Sequence, residues 1–175
     1  MKSRKMTAGV FAFAATNYLN RYFASSAMLK QALRRRAYRF IKKHGGNMED
    51  ALPLIDAEIK KQQQSGALND SFFAHTMVAE MQKHGASRLK IKQKLFQKGI
   101  DSNLIEEALK ANENSYDPRE SARKYAKKRG FGPYRTSQQS DDRFQKELAS
   151  MVRAGHSYTI SKEILSLSRE DIEDQ

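Results

Sequence analysis

The sequence predicts an all-α fold made of three tandem three-helix repeats. Three observations carry this. Apolar residues recur at helical spacing along most of the chain, as in Leu29, Leu33 and Ala37, in Phe73, Met77 and Met81, and in Ile91 and Leu95. Glycines close these segments at comparable places, in His84-Gly85, Lys98-Gly99, Arg129-Gly130 and Ala154-Gly155, because Gly tolerates the left-handed backbone that ends a helix. The offsets also repeat: Ser25, Leu29 and Leu33 are spaced like Ser87, Ile91 and Leu95. A period of about 50 residues in helical units marks an array whose neighbours stack to make the core. The repeats are placed at residues 1–65, 66–115 and 116–168, with an acidic tail at 169–175.

At the start, Lys2, Arg4 and Lys5 precede an apolar run from Ala8 to Ala15 that contains Ala12-Phe13-Ala14. That pattern has the look of a signal peptide. The run is short, and it continues through Tyr18, Leu19, Tyr22 and Phe23, so it is read as one helix of the first repeat. A basic transit peptide is the minority alternative. The second helix is expected from about Ser26 to Ile41, with Leu29, Leu33, Ala37 and Phe40 inward and Arg35, Arg39 and Lys42 outward beside Tyr38. Gly45-Gly46 breaks the chain. The third helix runs from Glu49 to about Gln64, with Leu52, Ile55 and Ile59 inward and Pro53 in its first turn.

The central repeat has the clearest grammar. Asp70 is the expected cap of its first helix, Ser87 of its second, and Asp101 or Ser102 of its third, where Leu104, Ile105, Ala108 and Leu109 are apolar. The third repeat opens at Asp117-Pro118. Ala122, Tyr125 and Ala126 supply an apolar face, and Gly132, Pro133 and a polar run from Thr136 to Asp142 link to a helix marked by Phe144, Leu148, Met151 and Val152. Ser157 caps a last helix with Ile160, Ile164 and Leu165. The acidic residues from Glu170 to Asp174 read as a frayed tail.

The net charge is +12, and its distribution is informative. Residues 1–48 hold eleven Lys or Arg and no acid; the rest of the chain holds 21 basic against 20 acidic side chains. Such a field favours an anionic partner: nucleic acid, an acidic protein surface or anionic lipid. Arg34, Arg35, Arg36, Arg39, Lys42 and Lys43 have no acid nearby in sequence and are read as binding residues. Lys90, Lys94 and Lys98 form an i, i+4, i+8 row, and Lys127, Lys128 and Arg129 close a helix. A solvated helix face is the plain alternative for the lysine row. Tyr38 and Tyr134 could stack on bases beside arginines, or serve as amphipathic packing residues. Phe72 and Phe73 are assigned to the core.

Other function classes find little support. There are no cysteines, which excludes disulfides, thiolate metal sites and Cys nucleophiles. No apolar run approaches the ~20 residues that span a bilayer. His44, His75, His84 and His156 are scattered. Glu106-Glu107 and Asp141-Asp142 are adjacent in sequence, so on a helix their side chains diverge by about 100°. There is no P-loop or dinucleotide-binding glycine motif, and the expectation is a non-enzyme without cofactor or metal.

The order of the motifs resembles the RecX family of recombinase regulators. The central unit carries Gly66-x-Leu68-x-Asp70-x-x-Phe73, then His84-Gly85-x-Ser87-x-x-x-Ile91-x-x-x-Leu95-x-x-Lys98-Gly99-Ile100, then Ile105-Glu106-Glu107-Ala108-Leu109. Tyr18-Leu19-x-Arg21 with Ser25 and Leu29 is similar to the family's opening repeat. The run Tyr125 to Pro133, then Leu148-Ala149, Arg153-Ala154-Gly155 and Ser157-Tyr158, is similar to its closing one. The resemblance covers most of residues 16–165. It implies repeats stacked into an elongated, curved array that binds RecA filaments, contacts DNA, modulates and usually inhibits recombinase ATPase and strand exchange, and has no cofactor. Three departures stand out. Gln93 or Lys94 occupies a position often acidic, His156 replaces a usual aromatic, and Ser161 takes a usually apolar place. The expected interaction face is Arg34, Arg35, Arg39, Lys42, Lys90, Lys94, Lys98, Lys127, Lys128 and Arg129. The expected partners are a RecA filament and single- or double-stranded DNA, not membrane, with the protein monomeric and cytoplasmic. The alternatives are a helical-repeat nucleic-acid binder without a recombinase partner, and a basic segment, residues 1–43, lying on anionic lipid.

Overall fold

A computed structural model describes residues 6–136, 141–168 and 170–173, and among these the regular secondary structure is all helical, without strands. The helices are α1 (Ala8–Leu19), α2 (Ser26–His44), α3 (Met48–Gln64), α4 (Asp70–Lys83), α5 (Arg88–Gln97), α6 (Ser102–Ala111), α7 (Pro118–Arg129), α8 (Asp141–Arg153), α9 (Tyr158–Ser166) and a short α10 (Glu170–Glu173). The calls on Lys2, Arg4 and Lys5, on the middle of the polar run at 137–140, and on Arg169, Asp174 and Gln175 lie outside the described residues. The chain forms two compact units. One comprises residues 1–74 and 97–104, the other residues 75–96 and 105–175. The central repeat contributes to both.

The first unit is built on α1, α2 and α3. Phe11 and Ala15 of α1, Leu29, Leu33 and Ala37 of α2, and Ala51 and Ile55 of α3 are fully or almost fully buried together. Each larger side chain contributes about 1.5–3 kcal/mol by leaving water. α1 is shorter than its sequence pattern: it ends at Leu19, and Tyr22 and Phe23 lie beyond it, exposed. Phe23 instead stacks on Phe73 at 4.8 Å and meets Phe72 edge-on at 6.0 Å. Phe73 is core as expected, but Phe72 faces outward. α2 runs a turn further than expected, to His44. α3 starts at Met48 under an Asn47 cap, so Pro53 sits in its second turn rather than its first.

The second unit has its core where α7, α8 and α9 meet, with Ala122, Ala126, Leu148, Met151, Ile164 and Leu165 buried. Val152, one of the apolar residues that marked this helix in the sequence, is exposed on α8. On α4 the buried face is Phe73, Ala74 and Val78, with Met77 and Met81 only half-buried. A four-residue step advances about 400° around a helix, so a row at that spacing drifts off the face by about 40° per turn.

Serine hydroxyls tie neighbouring repeats inside each unit by the same device. In the first unit Ser25 Oγ caps α2 by accepting from the Met28 N–H at 3.2 Å and donates to the Lys98 carbonyl at 2.5 Å. In the second, Ser87 Oγ caps α5 by accepting from the Lys90 N–H at 3.1 Å and donates to the Ala154 carbonyl at 2.6 Å. The glycine after each carbonyl lets the chains approach. A Cβ on Gly99 would lie 2.3 Å from that of Ala27, and one on Gly155 would lie 2.5 Å from Ser87 Oγ. Both glycines hold positive φ, 73° and 89°. Asp70 does not cap its own helix. Asn69 does, accepting from the Phe72 N–H, while Asp70 Oδ1 accepts from the Ser26 N–H at 2.7 Å and completes the cap of α2.

Candidate partner-binding surfaces

The buried stripe of α2 fixes where its charges go. With Leu29, Leu33 and Ala37 inward, Arg34, Arg35, Arg36, Arg39, Lys42 and Lys43 fan over the solvent side, all exposed. Tyr38 stands among them, 64% exposed. Lys30 is held by Asp56 at 2.7 Å. None of the ten residues of the expected interaction face has a carboxylate within 4 Å among the described residues. Charges left unpaired on a rigid helix remain available to an anionic partner. Lys42, Lys43 and His44 also occupy the last turn of α2, where the helix dipole favours cations.

Besides a smaller groove of about 220 Å³ toward α1, two grooves flank this helix within the first unit. One, of about 720 Å³, is lined by Ala27, Lys30, Gln31, Arg34, Arg35, Tyr38, Arg39 and Met48. The other, of about 360 Å³, is lined by Val10, Arg36, Arg39, Phe40, Lys43 and His44. Arg39 borders both.

In the second unit the lysine row of α5 is partly dismantled. Lys90 and Lys94 are exposed, but α5 stops at Gln97, so Lys98 lies past its end and is half-buried. Lys92 is paired with Glu106 at 2.5 Å and Arg88 with Glu113 at 3.0 Å. On α7, Lys127, Lys128 and Arg129 form the last turn, and the Arg129 guanidinium lies 5.6 Å from the Tyr125 ring. A groove of about 650 Å³ gathers Lys90, Lys128 and Arg129 with Arg153, a cation that the sequence reading did not assign, and with His84, His156, Ser87, Ser150 and one carboxylate, Glu80, 3.5 Å from His84 Nε2. Lys94 and Lys127 are exposed outside it. The sequence signal for Arg153 was its place just before Ala154-Gly155, at the end of a helix.

His156 and Ser161 are both buried in this unit. The His156 ring packs 5.1 Å from Tyr125, its Nε2 has no hydrogen-bond partner, and burial holds its pKa below the usual histidine value. Tyr134, a candidate base-stacking residue, packs instead on the core of α7–α9, and burial raises its pKa. Beside it, Glu147 accepts from Arg135 Nε at 3.0 Å, from Arg135 Nη2, and from the Gly132 N–H at 2.9 Å. This buried pair belongs to packing rather than to a surface. Among the described residues no cluster of His, Asp and Glu could hold a metal, and no helix is long and apolar enough to cross a membrane.

Comparison with known proteins agrees with this architecture. Residues 69–109 match the family model described as RecX, second three-helix domain. The chain is 32% identical over 165 residues to the regulatory protein RecX of Myxococcus xanthus, covering 94% of this chain and 88% of that one. It is also 32% identical over 108 residues to the regulatory protein RecX of Agrobacterium fabrum, covering 62% and 56%. The crystal structure of RecX from Lactobacillus salivarius superposes with a TM-score of 0.61 at 21% identity, over 96% of this chain and 97% of that one. A second crystal structure of regulatory protein RecX gives 0.62 at 22% identity, over 90% and 70%. With that extent of identity to a curated relative and the same helical architecture, the chain belongs to the RecX family of regulatory proteins.

Proposed function

We propose that the protein regulates homologous recombination and DNA repair by binding RecA filaments, lowering recombinase ATPase and strand exchange. The observation that carries this is a set of exposed cations without carboxylate partners, on two units of a RecX-family chain. A RecA filament on DNA offers phosphates and protein carboxylates together, and both suit such surfaces. The protein acts as a cytoplasmic monomer, needs no cofactor and performs no chemistry.

The test is RecA's DNA-dependent ATPase on single-stranded DNA, titrated with this protein and repeated at raised DNA concentration. Inhibition well below one protein per RecA that survives excess DNA is expected. The same exposed cations favour a second reading, a nucleic-acid binder without a recombinase partner. Inhibition relieved by excess DNA selects that reading. Replacing Arg34, Arg35 and Arg39 together with Glu should weaken filament binding about tenfold or more, and should flatten its dependence on log salt by about two to three units. Unchanged binding removes α2 from the interface.

A further inference from the structure

The groove beside α2 has a character that phosphate binding does not require. Its lining includes apolar groups: the methyl of Ala27, the thioether of Met48 and the exposed ring of Tyr38. The lining is also cationic, with Arg34, Arg35 and Arg39 free of carboxylates among the described residues and Lys30 held by Asp56. Phosphates on a nucleic-acid strand need the cations alone. Base edges need acceptors as well as donors, and the only neutral amide lining this groove is Gln31. A volume of about 720 Å³ accommodates one or two large apolar side chains. Met is an adaptable surface for such side chains, and Tyr adds contact area at low entropic cost.

We infer that this groove is a peptide-docking slot, and that its occupant is an acidic protein segment which inserts an apolar side chain while flanking carboxylates pair with Arg34, Arg35 and Arg39. The inference deepens the proposed function and rests on it for the presence of a protein partner as well as DNA. It assigns protein contact to the α2 slot. The groove of the second unit, lined by Lys90, Lys128, Arg129, Arg153 and Ser150 with the single carboxylate Glu80, is left to nucleic acid.

The experiment uses the full chain and three labelled probes read by fluorescence anisotropy. The first is an acidic peptide of about 15 residues with Leu and Phe one helical turn apart. The second is the same peptide with both replaced by Ser. The third is a thymidine oligonucleotide of similar charge. The slot predicts that the first peptide binds about tenfold tighter than the second, and that Tyr38→Ser removes this advantage while leaving oligonucleotide affinity within about twofold. Tyr38 is exposed, so the thermal melt of the variant should be unchanged. Equal binding of the two peptides overturns the inference, since charge alone would then explain capture. Displacement of the first peptide by the oligonucleotide at equal charge overturns it too, by making the groove a phosphate site. Neither outcome touches the ATPase titration. Conversely, an unaffected ATPase with intact peptide selectivity would refute the recombinase partner and leave the slot standing.

Discussion

Ser87 and Gly155 meet where the second unit joins α5 to the end of α8, and each is replaceable with a calculable cost. Ser87→Ala removes the cap of α5 and leaves the Ala154 carbonyl without its donor, so it should destabilise by about 1–3 kcal/mol in urea denaturation. Gly155→Ala forces a side chain into positive φ and within 2.5 Å of Ser87 Oγ, with a cost of about 1–3 kcal/mol. His156 supplies a pH dependence whose sign is fixed by its burial. Burial lowers its pKa in the folded state below the usual histidine value of 6.5, so the unfolded chain binds the proton more readily. Stability from this residue is therefore fully present above about pH 6.5 and is lost as pH falls through the folded-state pKa. His156→Phe should abolish that component: the wild-type minus variant difference in unfolding free energy, compared at pH 7.5 and pH 5, should change in the wild type's disfavour at the lower pH. A difference independent of pH would refute the assignment.

Between elements, the Arg135–Glu147 pair fastens the link after α7 to α8, with both side chains more than nine-tenths buried. Removing the Glu147 carboxylate takes a buried acceptor from Arg135 and from the Gly132 N–H, so Glu147→Ala should cost about 1–3 kcal/mol, measured by the same denaturation. No periodicity announces this pair. Arg135 lies in a linker and Glu147 in a run of charged residues, and only the folded chain brings them together. The elements themselves were legible because they depend on local signals: Ser87 and Ser157 cap where the serine spacing places them, and the glycine stops hold positive φ between 64° and 89°. The errors fall where a tertiary partner decides. Asp70 has the chemistry of a cap for α4 but serves α2, because Ser26 presents an unpaired N–H to it. Lys98 fits a lysine row on paper, yet its carbonyl is engaged by Ser25 and the helix ends before it. The α2 arginines were legible as a surface because that helix has no acid of its own. The apolar lining beside them was not, since Ala27, Tyr38 and Met48 come from distant turns and a second helix.

Across the whole molecule, charge and folding are distributed differently, and a fragment separates them. Residues 66–175 contain every residue of the second unit but carry a net charge of only +3 out of the +12 of the chain. Residues 1–65 carry the remainder, yet lack parts of the first unit: Leu68 and Phe73, which are buried, the Asp70 carboxylate that holds the Ser26 N–H, and the Lys98 carbonyl that holds the Ser25 hydroxyl. A helical piece of that length with about two polar groups unsatisfied sits at the margin of stability. Residues 66–175 should therefore melt cooperatively by circular dichroism and keep the pH dependence of His156, while residues 1–65 alone should show no cooperative transition. The longer fragment keeps the groove of Lys90, Lys128, Arg129 and Arg153, so it should bind single-stranded DNA within about threefold of the full chain and with a similar salt slope, while losing selectivity for the peptide that carries Leu and Phe. Binding weakened about tenfold or more, with a clearly shallower slope, would mean that the α2 arginines contact DNA directly and would count against reserving the α2 slot for protein.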